Sequence, residues 1–152
     1  MGKPRAFLKS IPFPRSHLTV CRMQHVLWVM LGGALGSASR YGISLWLAHH
    51  PQTGFPWSTL LVNAVGSLMI GLAFEALGPD GRWPASLEIR NFLMVGLLGG
   101  FTTYSSFSLQ TLVLIQNEIW SKAAWNIIST FAVCLLGCWV GLKIGKTFLT
   151  AA

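Results

Sequence analysis

Charge is scarce in this sequence. Only 10% of its 152 residues are charged and only four are acidic, whereas an average soluble domain carries about a quarter charged residues. That shortage excludes an ordinary soluble fold. The missing acids also weigh against a proton-coupled exporter, which needs a carboxylate deep in the membrane; Glu75 lies near the end of an apolar run. No nucleotide-binding motif is present, and no credible base stands beside a nucleophile, which argues against an enzyme. The three cysteines make no disulfide framework: Cys134 and Cys138 lie four apart on an apolar run and read as small packing residues, and Cys21 falls in a basic arm. His49 and His50 are too thin a signal for a metal and read as loop residues. The two halves show no convincing repeat, so an inverted-repeat transporter is not indicated.

Apolar residues make up 53% of the chain. They gather into four runs, about 25–48, 57–78, 91–116 and 123–149, each long enough for the roughly 20 residues that a spanning helix needs. Trp46, Trp57, Trp83 and Trp120 fall near the run ends, as an interfacial aromatic belt requires. The net charge of +7 is concentrated in the arm 1–22, where Lys3, Arg5, Lys9, Arg15 and Arg22 all precede Met23. Two readings of that arm are open, binding to anionic headgroups and a start codon assigned too far upstream, and the second is favoured. The chain thus divides into a basic extension, 1–22, and a membrane domain, 23–152. Nucleic-acid binding is not expected, since the arm's cations are scattered among prolines and no reading module follows. Although Ser37-Ala38-Ser39 faintly resembles a signal-peptide cleavage site, apolar residues resume after Arg40, so the first run is read as an uncleaved span.

Several polar and small residues recur at helical spacing. Gly32 with Gly36, and Gly33 with Ser37, form steps that let another helix approach closely. Arg40 follows within the same run and has two readings, a positive charge beside an anion path or a side chain snorkelling to the interface. In the second run Asn63, Ser67 and Gly71 share a face; the Asn63 amide either ties helices together or offers its NH₂ to an anion. In the fourth, Asn126, Thr130 and Cys134 repeat every four residues, and Gly137, Gly141 and Gly145 continue as a packing face.

The third run is the least ordinary. It contains Gly99-Gly100-Phe101-Thr102-Thr103-Tyr104-Ser105-Ser106-Phe107-Ser108, helix breakers and hydroxyls inside a stretch of bilayer length. Paired glycine and adjacent threonine predict local unwinding over 99–103. Irregular backbone survives at membrane depth only where protein buries it or a polar path passes. The carbonyls ending the first half-helix favour a cation, and the amides opening the second favour an anion. Tyr104 and Phe107 can be plain packing contacts, or a ring such as Phe107 can turn its positive edge to an anion.

Taken together, GGFTTYSSFS, Leu61-Val62-Asn63-Ala64-Val65-Gly66-Ser67 and Gly32-Gly33-Ala34-Leu35-Gly36-Ser37-Ala38-Ser39-Arg40-Tyr41 resemble the Fluc (CrcB-type) fluoride-channel family, in the family's order, from about Met23 onward. The resemblance implies a passive fluoride channel of four spans, the third broken near 99–103, working as an antiparallel dual-topology homodimer in a bacterial inner or plasma membrane. It places the pore asparagine at Asn63 and the family's two box phenylalanines at Tyr104 and Phe107, with pore hydroxyls at Ser105 and Ser106. Tyr104 departs from the usual phenylalanine. It further implies a structural sodium ion held by the backbone carbonyls of Gly99 and Thr102, a hard cation on oxygen ligands. The fourth-helix track matches loosely, through Asn126 and Thr130; Thr130 is taken as pore-lining and Arg40 as anion-attracting. The expected partners are fluoride, a second copy of the chain and the lipid bilayer. A four-helix exporter and a non-transporting assembly subunit are the rival readings.

Overall fold

The computed structural model describes residues 21–49, 54–78 and 81–149. The arm 1–20 lies outside them, and with it the choice between headgroup binding and an upstream start. The chain is helical: α1 (Cys21–Ala48), α2 (Trp57–Ala76), α3 (Leu87–Arg90), a π-helical stretch π1 (Asn91–Leu98), α4 (Gly99–Phe101), α5 (Tyr104–Gln116), α6 (Trp120–Ile144) and π2 (Gly145–Leu149). No β-strand occurs among the described residues.

Three stretches are long and apolar enough to cross a membrane, Trp57–Ala76, Leu87–Gln116 and Trp120–Thr147. The helix α1 has the length, 28 residues, but Ser37, Ser39, Arg40 and Ser44 make it less apolar. The third and fourth helical stretches begin three or four residues before the apolar runs do. At Leu87 the cause is a cap: Ser86 is extended and its side chain accepts from the Ile89 N–H, a polar turn that counting apolar residues misses.

Helices pack in two pairs. α1 lies along π1 and α4, and α2 along α6, which also meets α5. Small residues set both seams. A Cβ on Gly36 would run into the Leu97 carbonyl oxygen and come within 2.8 Å of the Phe101 nitrogen; one on Gly141 would strike the Leu68 carbonyl oxygen and lie 3.0 Å from the Leu72 nitrogen. The steps read from the sequence at Gly32/Gly36 and at Gly141 are therefore backbone contacts, while Gly145 makes room for the Glu75 side chain. With hydrocarbon outside, no hydrophobic force drives helices together, and close van der Waals packing does the work.

Burial is inverted relative to a soluble protein. Among the described residues the buried apolar side chains are Val62, Ala76, Phe107, Leu114 and Ala123, whereas the buried polar ones are Thr59, Asn63, Thr103, Thr111, Asn126 and Thr130. Large side chains such as Trp125, Ile128, Leu136 and Trp139 face outward. An apolar exterior around hydroxyls and amides is what a lipid solvent selects.

Candidate functional site

The third helical stretch changes direction at two residues. Gly99 stays helical, at φ −64° and ψ −39°, and so do Gly100 and Phe101. Thr102 (φ −77°, ψ 156°) and Thr103 (φ −150°, ψ 107°) are extended. Unwinding is thus confined to the β-branched pair, which tolerates extended backbone well. Gly100 serves close approach, since a Cβ on it would lie 2.7 Å from the Gly33 carbonyl oxygen and 3.0 Å from its Cα, whereas one on Gly99 would meet only the Met94 carbonyl oxygen at 3.7 Å.

Backbone groups at the break find side-chain partners. The Thr103 N–H donates to Asn63 Oδ1 at 2.7 Å, and Asn63 Nδ2 donates to the Thr103 carbonyl at 3.0 Å. Asn63 therefore ties α2 to the break with both ends of its amide, and its NH₂ retains a second hydrogen. Thr103 caps α5, its hydroxyl accepting from the Ser106 N–H at 3.2 Å and donating to Ser106 Oγ at 3.0 Å. Ser105 Oγ lies 3.3 Å from the same hydroxyl.

These bonds redirect two donors. In a continuous helix the N–H of residue i serves the carbonyl of i−4, so Thr103 would serve Gly99 and Ser106 would serve Thr102. Here those N–H groups go to Asn63 and to the Thr103 side chain instead. Gly99 and Thr102 are left with carbonyl oxygens that have lost their helical donors, hard ligands of the kind an alkali or alkaline-earth cation takes. The intervening Gly100 carbonyl is engaged, accepting from Arg40 Nε at 3.2 Å and from Ser37 Oγ at 3.4 Å.

Beside the break lies a cavity of about 390 Å³ whose lining includes Asn63, Ser67, Gly99, Thr102, Tyr104, Phe107 and Thr130. No lining residue carries a formal charge. Its polar donors are an amide and hydroxyls, and Thr130 Oγ1 is buried without a partner. Phe107 is buried at 7% exposure while Tyr104 is 75% exposed; their rings are 5.4 Å apart and tilted by 52°. Gly66 lets Thr102 sit here, since any Cβ on it would collide with the Thr102 methyl.

Six of the candidate site residues, Asn63, Gly99, Thr102, Tyr104, Phe107 and Thr130, thus meet in one cavity. Ser105 and Ser106 gather around the Thr103 hydroxyl and are not part of its lining, and Arg40 lies on α1 against the Gly100 carbonyl. Thr103 itself, the centre of the hydrogen bonding, carried a legible signal: a threonine three residues before Ser106 at the start of a helix is a cap. Nothing local marked Ser37 as a partner of Gly100.

Bilayer-length helices, an apolar exterior and an uncharged, mostly apolar cavity with a few amide and hydroxyl groups beside the extended Thr102 and Thr103 define a multi-pass helical membrane protein. The chain belongs to the CrcB-like family, described as CrcB-like protein, Camphor Resistance (CrcB), which matches residues 27–142. It is similar to proteins called fluoride-specific ion channel FluC. The one from Opitutus terrae is 45% identical over 119 residues, covering 78% of this chain and 90% of that one. The one from Paramagnetospirillum magneticum is 47% identical over 113 residues, 74% and 88% of the two chains. The one from Thermus thermophilus is 46% identical over 123 residues, 81% and 94%.

Proposed function

We propose that the chain is a fluoride-selective ion channel, not an enzyme, that lets fluoride leave the cell passively along the Asn63, Phe107 and Thr130 wall of the cavity. The observation that carries this reading is the convergence of neutral donors on a cavity beside an aromatic edge. Fluoride is small and strongly hydrated, so a pore must replace water's donors without a charge strong enough to trap the ion. The remaining hydrogen of the Asn63 NH₂ and the Thr130 hydroxyl are such donors, and the edge of Phe107 offers weak positive potential. Tyr104, Ser105 and Ser106 stand at the N-terminus of α5, where amide dipoles favour an anion. Arg40 brings its positive charge to the same break through the Gly100 carbonyl. The described acids Glu75, Glu88 and Glu118 sit at helix ends or in a turn, so an exporter finds no coupling group among the described residues.

The unit of function is an antiparallel homodimer of four-span subunits, in which α1 is also a span and the third span is broken at Thr102 and Thr103. The exposure of Tyr104 beside an otherwise buried Phe107 supports a second copy completing the wall. A structural sodium ion belongs to this assembly. The carbonyls of Gly99 and Thr102 fit it, because both have lost their helical donors, and the bound ion supplies fixed positive charge near the pores. Cysteines placed singly in the loop at Arg82 are then labelled from both sides of the membrane; labelling from one side alone overturns the antiparallel arrangement.

Efflux from liposomes holding the purified protein tests the function. Fluoride leaves rapidly with no proton gradient, and chloride is retained. Equal chloride efflux, or fluoride efflux only under a proton gradient, overturns the reading.

A further inference from the structure

We infer that Asn126 is a positioning residue, holding Phe107 in place through Thr111. This rests on Phe107 being an ion contact. α5 begins immediately after extended backbone, so no continuous helix transmits its rotation from α4; its orientation must come from what it packs against. Its buried residues Phe107, Thr111 and Leu114 follow one face. On that face the Thr111 hydroxyl donates to the Phe107 carbonyl at 2.7 Å and accepts from Asn126 Nδ2 of α6 at 2.9 Å. A hydroxyl has one hydrogen. Since Thr111 spends it on Phe107, it can only accept from Asn126, and this fixes which way the amide points. Asn126 is 0% exposed and Thr111 6%, so water does not compete for these bonds.

The other end of the amide argues against direct contact with the permeating ion. Asn126 Oδ1 is buried without a partner and an oxygen acceptor has nothing to offer an anion, while the second Nδ2 hydrogen belongs to a side chain fully buried outside the cavity. Asn126 is absent from the cavity lining, whereas Thr130, one turn on, is present. The two polar residues of α6 therefore divide the work: Thr130 faces the ion, and Asn126 sets the ring that faces the ion.

Fluoride efflux from liposomes and the ¹⁹F resonance of 4-fluorophenylalanine incorporated at position 107 test the proposal together. Asn126→Leu and Thr111→Val each reduce flux about tenfold, the size of one broken buried hydrogen bond, and both move or broaden the resonance. Thr111→Ser restores most of the flux lost in Thr111→Val and keeps the wild-type resonance. The double variant Asn126→Leu/Thr111→Val is no worse than the weaker single, because both break one relay. An unchanged resonance in Asn126→Leu, or additive losses in the double variant, overturns the relay. Absence of fluoride efflux from the wild type overturns the proposed function instead, and the resonance still decides the relay.

Discussion

The seam between α2 and α6 and the junction between α4 and α5 both bring backbone into close contact, by opposite means. At the seam, side chains are removed. A Cβ on Gly71 would meet the Cys138 carbonyl oxygen and lie 2.9 Å from the Leu142 nitrogen, and Gly141 answers it from the other helix. That contact is steric and lies between two regular helices. At the junction, side chains are added to intercept backbone donors, and Asn63 and Thr103 between them take two N–H groups that a helix would have kept. The seam holds the fold together, while the junction gives up regular bonding, frees carbonyls and borders an uncharged cavity with a few polar donors in an apolar wall. Damage to the two should therefore separate: seam variants lose the protein, and junction variants lose the activity.

The largest effect expected is at the seam. Gly141→Val drives a branched side chain into backbone that cannot rotate away, a cost of about 3 kcal/mol or more. The yield of folded protein after detergent extraction, followed by size-exclusion elution, should fall to near nothing. A normal yield would show that α2 and α6 can part without consequence, and the contrast with the junction would fail. Phe107→Ile comes next and should leave elution unchanged while fluoride flux drops about tenfold or more, since an aliphatic side chain has no positive edge. Asn63→Asp replaces the donor facing the Thr103 carbonyl with an acceptor, and should likewise abolish flux at neutral pH. Wild-type flux in either variant removes that residue from the ion path.

An intermediate effect is expected from the sodium ion proposed for the junction. Replacing sodium with a large organic cation on both sides of the liposome should lower flux or dimer stability severalfold without sodium tracer crossing the membrane. Tracer sodium moving in proportion to fluoride would make the cation a passenger and leave the freed carbonyls of Gly99 and Thr102 unexplained.

Much of the seam was legible in the sequence, because small residues four apart are a local pattern. Gly32, Gly36, Gly141 and Gly145 lie where that pattern puts them. Its limit shows at Asn63, Ser67 and Gly71: Asn63 and Ser67 line the cavity, but Gly71 packs on α6. Eight residues along an α-helix leave a drift of about 80°, enough to pass from one neighbour to another. The junction was legible in kind but not in place. Glycine's poor helix propensity pointed to 99–103, yet Gly99 and Gly100 stay helical, Gly100 packed against Gly33, and the threonines extend. The pairing of Asn63 with Thr103, 40 residues apart, and that of Asn126 with Thr111 are tertiary facts that periodicity cannot carry. Nor does an apolar run reveal that Asn91–Leu98 winds as a π-helix.

The smallest effect is expected at Gly33, where the two kinds of contact meet. The sequence pairs Gly33 with Ser37 as a packing step, and Gly100 does rest on Gly33. The contact is nevertheless made by the Gly33 backbone and not by its missing side chain: a Cβ on Gly33 has nothing within 4 Å, whereas one on Gly100 overlaps the Gly33 carbonyl. Gly33→Ala should therefore keep wild-type elution and flux within about twofold, with a gain in helix stability of up to about 1 kcal/mol. Gly100→Ala, which touches the same contact from the other side, should be destabilised by about 1–3 kcal/mol and lose flux, because the Gly100 carbonyl also holds Arg40 and Ser37. Thermal unfolding in detergent, run alongside efflux, compares the pair. Equal losses in both variants would mean that a second chain covers the open side of Gly33, and the contact would then belong to the dimer and not to the subunit.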